Sequence, residues 1–298
     1  MKIYNLKEVI DAMLIELSGV SRASENTIAA YKRDLKQFSE FCEGKKIFTI
    51  NSITERHIRF YLMFLSEIGM DKSSVARKLS ALRKVFNFAV KNDIIDYNPI
   101  CKVPNPKVKR KLPETVNLDS FEEIYRLLDE ENNPYVVKRN KAIFELLYGC
   151  ALRVSELCSL NIGNIDLKKM NVRVLGKGAK VRIVPIGQKS LNILKEYFES
   201  QSSRSYGEPL FVASNGKRIT RQIVYTLVNK YLSKVSDIKK KSPHILRHSA
   251  ATHMLDRDAD IMAVKEILGH TNLSTTQIYT HVSIERLKNS YKKAHPKS

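Results

Sequence analysis

The sequence predicts a mainly α protein: an all-helical domain over residues 1–97, a linker at 98–113, and a mostly helical α+β domain over 114–298 with a small antiparallel sheet. Three observations predict it. Apolar residues recur at three- and four-residue spacing through most of the chain, the period of one helix face. That period gives way to alternation between Ile162 and Ile186, as strands require. Asn98–Pro113, NPICKVPNPKVKRKLP, holds four prolines and five basic residues, a composition that disfavours both helix and central strand.

In chain order, Leu6, Val9, Ile10, Met13, Leu14 and Leu17 make the apolar stripe of a first helix over Asn5–Leu17. Ser24 is the expected N-cap of a second, which carries Ile28, Tyr31, Leu35, Phe38 and Phe41 and ends before Gly44. A third runs from Thr54 to Ile68. The fourth, Ser73–Lys91, sets Val75, Leu79, Leu82, Phe86 and Val90 on one face and Arg77, Lys78, Arg83 and Lys84 on the others. Beyond the linker, Asp119 is the expected N-cap of a helix over Leu118–Leu128, and a strongly apolar helix follows at Val137–Tyr148. A short strand near Ile165 precedes two strands joined by a tight turn at Gly176-Lys177-Gly178. Helices resume at Ser190–Ser200 and Thr220–Val235.

The chain carries 51 Lys+Arg against 31 Asp+Glu, a formal charge of +20 that favours a polyanionic partner. Most of the excess, a net +15, lies in residues 107–298. No apolar run approaches the roughly 20 residues that span a bilayer, and MKIYNLKEVIDAM lacks the apolar core of a signal peptide, so a cytoplasmic protein without membrane contact is expected. Cys42, Cys101, Cys150 and Cys158 form no CxxC pair and sit mostly among apolar residues, as buried reduced thiols do. The basic linker residues Lys107, Lys109, Arg110 and Lys111 and the fourth-helix residues Arg77, Lys78, Arg83 and Lys84 are candidates for phosphate contact.

Candidate chemistry concentrates between Pro243 and His281. His244, Arg247 and His248 share a helix face on packed scaffolding that includes Ile245, Ala250, Met254 and Leu255, and can aim at one anion. His270 follows, then Tyr279 after a polar run. Upstream, Arg153 and Glu156 stand three apart among the core leucines 152, 157 and 160. An arginine in such company is paired with its own acid or held for an anion. Lys177 sits at the hairpin tip between glycines. Cleaving a phosphodiester through a side-chain oxygen needs a nucleophile, charge at the non-bridging oxygens and a proton for the leaving oxygen. Tyr279, the fixed charges of Arg153 and Arg247, and Lys177 fill those roles, with His244 as base and His270 as a donor to phosphate. The histidines 244, 248, 253, 270 and 281 cluster, yet no carboxylate or cysteine completes a zinc spacing, so no metal is expected.

With SENTIAAYKRDLKQF, ALRVSEL, GKGAKVRIVPI, HILRHSAATHML and LGHTNLSTTQIYTHV in order, the chain resembles the tyrosine recombinases, and among them the Xer type. The resemblance covers nearly the whole chain. It implies that Arg153, Lys177, His244, Arg247 and His270 are catalytic, that Tyr279 is the nucleophile and that Glu156 supports Arg153. It implies a helical DNA-binding domain followed by a catalytic domain, and four protomers, of one or two kinds, acting on two specific sites in double-stranded DNA. Exchange through a 3′-phosphotyrosyl link needs no metal and no high-energy cofactor. Resolution of chromosome or plasmid dimers, with a cell-division DNA translocase as regulator, is the implied task. The alternatives are the integrase of a mobile element and a DNA-binding factor without catalysis. The first helix begins almost at Met1, which speaks against the further arm-binding domain that many such integrases carry. In the tail, Ile284, Leu287 and Tyr291 form a narrow apolar stripe expected to dock on a neighbouring protomer.

Overall fold

The computed structural model describes residues 4–19, 25–107, 114–176, 181–201, 204–269, 291–292 and 294–296. It contains eleven α-helices and one three-stranded sheet among them. The chain divides into two units between Lys111 and Leu112.

The first unit is built from α1 (Leu6–Gly19), α2 (Glu25–Gly44), α3 (Glu55–Glu67) and α4 (Lys72–Lys91). Their stripes close on one core in which Leu6, Met13, Leu35, Phe38, Tyr61, Leu79 and Phe86 are buried. Asp71 caps α4 by accepting the Ser73 and Ser74 amides, both at 3.0 Å, so this helix starts before Ser73. Val90 turns outward, and Val85 and Ala89 take the inward positions. Ile100 and Val103, in the stretch expected to be linker, are buried in this core. Burying two branched side chains outweighs the absence of regular structure there. The caps expected at Ser24 and the linker residues Lys109, Arg110 and Lys111 lie outside the described residues.

In the second unit α5 (Leu118–Asp129) is capped by Asn117, whose side chain accepts the Ser120 amide at 2.8 Å. Asp119, the expected cap, falls instead in the first turn, where its charge favours the positive helix end. The strongly apolar helix begins earlier than expected: α6 (Pro134–Phe144) has Asn133 as cap and Pro134 in its first turn. It then widens into a π-helical turn, Glu145–Gly149. The Cys150 amide donates to the Glu145 carbonyl at 3.1 Å, five residues back. Glu145 is fully buried there, accepting from the Tyr125 hydroxyl and, at 2.5 Å, from Ser190. A Cβ at Gly149 would lie 2.6 Å from the Ser190 hydroxyl, so only glycine fits.

After α7 (Val154–Ser159) come β1 (Ile165–Asp166), β2 (Asn171–Leu175) and β3 (Val181–Pro185), antiparallel in that order. Leu175 pairs with Val181, and residues 177–180, where the tight turn is expected, lie outside the described residues. Then follow α8 (Gln188–Glu199), α9 (Arg221–Val235), α10 (Pro243–Leu255) and α11 (Ile261–Leu268). Asp258 at φ +59° and the Asp260 cap separate the last two helices. Helix α6 and the π turn run through the middle of this unit, packed by α5, α8, α9 and α10, while α11 lies against β3 and α10. No described helix is long and apolar enough to cross a membrane.

Tyr291 of the tail packs into the core of its own unit. Its hydroxyl donates to the Gly149 carbonyl at 2.7 Å and its ring stacks on His295 at 4.5 Å, so the buried phenol has its polar end satisfied. Ile284 and Leu287 lie outside the described residues.

Candidate functional site

The site grows from the chain reversal after the π turn. Ala151 adopts φ +49°, a left-handed conformation costly for a residue with a Cβ, and this aims its carbonyl at α10. Two residues on, Arg153 stands at the N-cap of α7. Glu156 reaches back to accept the Arg153 amide and the Arg153 Nη1, each at 2.8 Å. The i, i+3 spacing seen in the sequence thus becomes one closed local pair.

Arg247 comes to this pair from α10, where Leu246, Ala250 and Met254 anchor the helix and Leu255, expected to do so too, is exposed. Arg247 is only 8% exposed. It donates to the Ala151 carbonyl at 2.6 Å and to the Leu268 carbonyl, and its Nη1 lies 3.7 Å from the Glu156 carboxylate. Burial first, then repulsion from Arg153 and Arg182, pulls its guanidinium down to about 9 against the pull of Glu156, which leaves it charged at pH 7. For Glu156 burial alone would raise the carboxyl. Hydrogen bonds and charge from Arg182, then Arg153, overcome this and bring it to about 2.

The sequence reading missed Arg182. Its fork donates to both Glu156 oxygens, at 2.7 and 2.8 Å, from the buried face of β3. Strand alternation holds the signal, because Arg182 is in phase with the buried Val184 and Ile186. Three guanidinia therefore share one carboxylate, and the cluster holds two positive charges in excess.

His244 stands one turn before Arg247 on α10, exposed, with its ring 6.4 Å from that of Tyr225. His253, farther along the helix, meets the Tyr148 hydroxyl at 2.8 Å, a packing contact. Lys177, His270 and Tyr279 lie outside the described residues.

Residues 118–286 match the phage integrase family, and residues 10–93 match the phage integrase N-terminal SAM-like domain. The chain belongs to the phage integrase family of tyrosine recombinases. It is 39% identical to tyrosine recombinase XerC of Pelobacter propionicus, covering 98% of this chain and 97% of the relative. It is 37% identical to tyrosine recombinase XerD of Oceanobacillus iheyensis, covering 92% and 94%. Among solved structures, the XerH site-specific recombinase bound to a palindromic difH substrate, in a post-cleavage complex, superposes with a TM-score of 0.70 at 25% identity, over 90% of this chain and 80% of that one.

In the recombinase's SAM-like domain, the four basic candidates of α4 separate. Lys78 is buried, its amine 2.9 Å from Asp34, and Arg77 bonds the same carboxylate. Lys78, expected as a phosphate contact, is thus turned inward: Asp34 is itself buried and requires a counter-charge beside it. Arg83 bonds Asn105 at 2.5 Å and the Val103 carbonyl at 2.7 Å. Lys84 and Lys107 are exposed. All four cysteines are free, with Cys42 and Cys150 buried, Cys158 half-buried and Cys101, contrary to expectation, exposed. Cys101 lies where the chain leaves the first core between Ile100 and Val103.

Proposed function

We propose that the chain is a site-specific recombinase that cuts and rejoins duplex DNA through a 3′-phosphotyrosyl intermediate on Tyr279. The observation that carries this is the excess of positive charge around the buried Glu156: two guanidinia beyond what one carboxylate balances are costly unless an anion completes the set. Arg153, whose side chain is one-third exposed, and Arg247 behind it grip the non-bridging oxygens of the scissile phosphate. The Tyr279 oxygen bonds to phosphorus as the bond to the 5′ oxygen breaks. His244 takes the phenol proton, His270 donates to the phosphate, and Lys177 protonates the departing 5′ oxygen. A 5′ hydroxyl from the partner strand then attacks the phosphotyrosine and frees the enzyme. The link preserves the bond energy, so no cofactor enters the balance.

The task proposed is resolution of chromosome or plasmid dimers in the cytoplasm, by four protomers on two sites, with a cell-division DNA translocase as regulator. The XerC and XerD relatives support it. Lys84, Lys107 and the linker cations Lys109, Arg110 and Lys111 are proposed to follow the DNA backbone. The test is a nicked suicide substrate carrying a binding site selected with the protein, resolved by denaturing electrophoresis. Wild type should form a covalent adduct, and Tyr279→Phe should bind equally and form none. An adduct that survives the substitution places the nucleophile elsewhere.

A further inference from the structure

Three arginines from three elements converge on the last turn of α11. Arg182 Nε donates to the Ile267 carbonyl at 2.9 Å, Arg247 Nη2 to the Leu268 carbonyl, and Arg153 Nη2 to the Gly269 carbonyl at 3.3 Å. These successive carbonyls lie at the negative end of the helix, where it supplies no partners of its own. Gly269 sits directly on Arg182. Its φ is +60°, and a Cβ there would lie 3.1 Å from Arg182 Cδ and 3.2 Å from Nε.

The three do not share the work equally. Arg182 is 5% exposed, and its fork closes on both oxygens of Glu156, so it faces no substrate. Arg153 holds only one carboxylate oxygen through its side chain, and Arg247 stands off at 3.7 Å. This bidentate partner takes two of the four hydrogen bonds that the carboxylate accepts. Without it, the Glu156 carboxylate would draw in the forks of Arg153 and Arg247 and neutralise the charges the phosphate requires.

We propose that Arg182 is a positioning residue: by occupying Glu156 and tying down the end of α11, it keeps Arg153 and Arg247 oriented and electrostatically free for the scissile phosphate. This rests on the recombinase reading above. It also explains the glycine at 269, since any side chain there would press on the Arg182 stem.

The experiment uses the full chain on the suicide substrate, with single-turnover adduct formation at saturating protein. Wild type, Arg182→Lys and Arg182→Gln are compared on the natural phosphodiester and on each of the two phosphorothioate diastereomers, in which sulfur replaces one or the other non-bridging oxygen. Lysine keeps the charge but cannot hold two carboxylate oxygens and a carbonyl at once, so it should fail to rescue and serves as the second variant if glutamine impairs folding. Both variants should bind DNA within about twofold of wild type and form adduct about 100-fold more slowly. The rate ratio between diastereomers should shift about tenfold, because misaligned guanidinia no longer tell the two oxygens apart. A variant that merely lowers the folded fraction slows both diastereomers alike. An unchanged ratio, or wild-type rates on the phosphodiester, overturns the proposal. A wild-type chain that forms no adduct overturns the recombinase reading and this inference with it.

Discussion

Glu156→Gln is isosteric yet should be among the most damaging single changes in the second unit. The carboxylate accepts four hydrogen bonds: the Arg153 amide, Arg153 Nη1, and Arg182 Nη1 and Nη2. Glutamine offers one acceptor oxygen and turns an NH2 toward a guanidinium, leaving three arginines without a counter-charge. Breaking a buried pair in this way costs about 3–5 kcal/mol. Proton linkage gives an independent figure. The carboxyl falls from its ordinary 4.5 to about 2, which contributes roughly 3 kcal/mol at pH 7. Because the folded value is the depressed one, this stability is complete above pH 4.5 and is lost as pH falls toward 2. At pH 3 about half should be gone. Urea unfolding of wild type and variant across pH 7 to 3 checks both statements. A difference below about 1 kcal/mol at pH 7, or one flat with pH, would refute the assignment of Glu156 as the ionised centre of the cluster.

Arg247→Ala should slow adduct formation by at least about 100-fold at saturating DNA, measured by single-turnover gel assay, since it removes preorganised charge from the phosphate. Lys78→Met should leave the salt dependence of DNA binding unchanged and lower stability by about 1–3 kcal/mol, because its amine serves Asp34; Lys84→Ala should reduce the salt slope by about one and leave the melting temperature alone. A salt titration with a thermal melt separates the two. Ala151→Gly relieves a left-handed residue at φ +49° and should raise the stability by up to about 1 kcal/mol, seen as a modest increase in melting temperature by calorimetry.

Local patterns carried much of this protein. The stripe from Leu6 to Leu14, the alternation from Val172 to Val184 and the i, i+3 pair Arg153 and Glu156 are all properties of neighbours in sequence, where backbone geometry alone decides which side chains share a face. The sequence also determined the order of the blocks that mark the family, and the excess of charge that calls for a polyanion. Tertiary structure alone decided what each face meets. Glu156 finds Arg182 across 26 residues, Asp34 takes Lys78 out of solvent across 44, and Arg153 reaches the end of α11 across 116. The tail ring of Tyr291 closes on a carbonyl 142 residues earlier. No period in a sequence encodes such meetings, because the partner of a buried charge is set by which helix and strand surfaces pack together. The cost of leaving that charge alone then forces the pairing once they do.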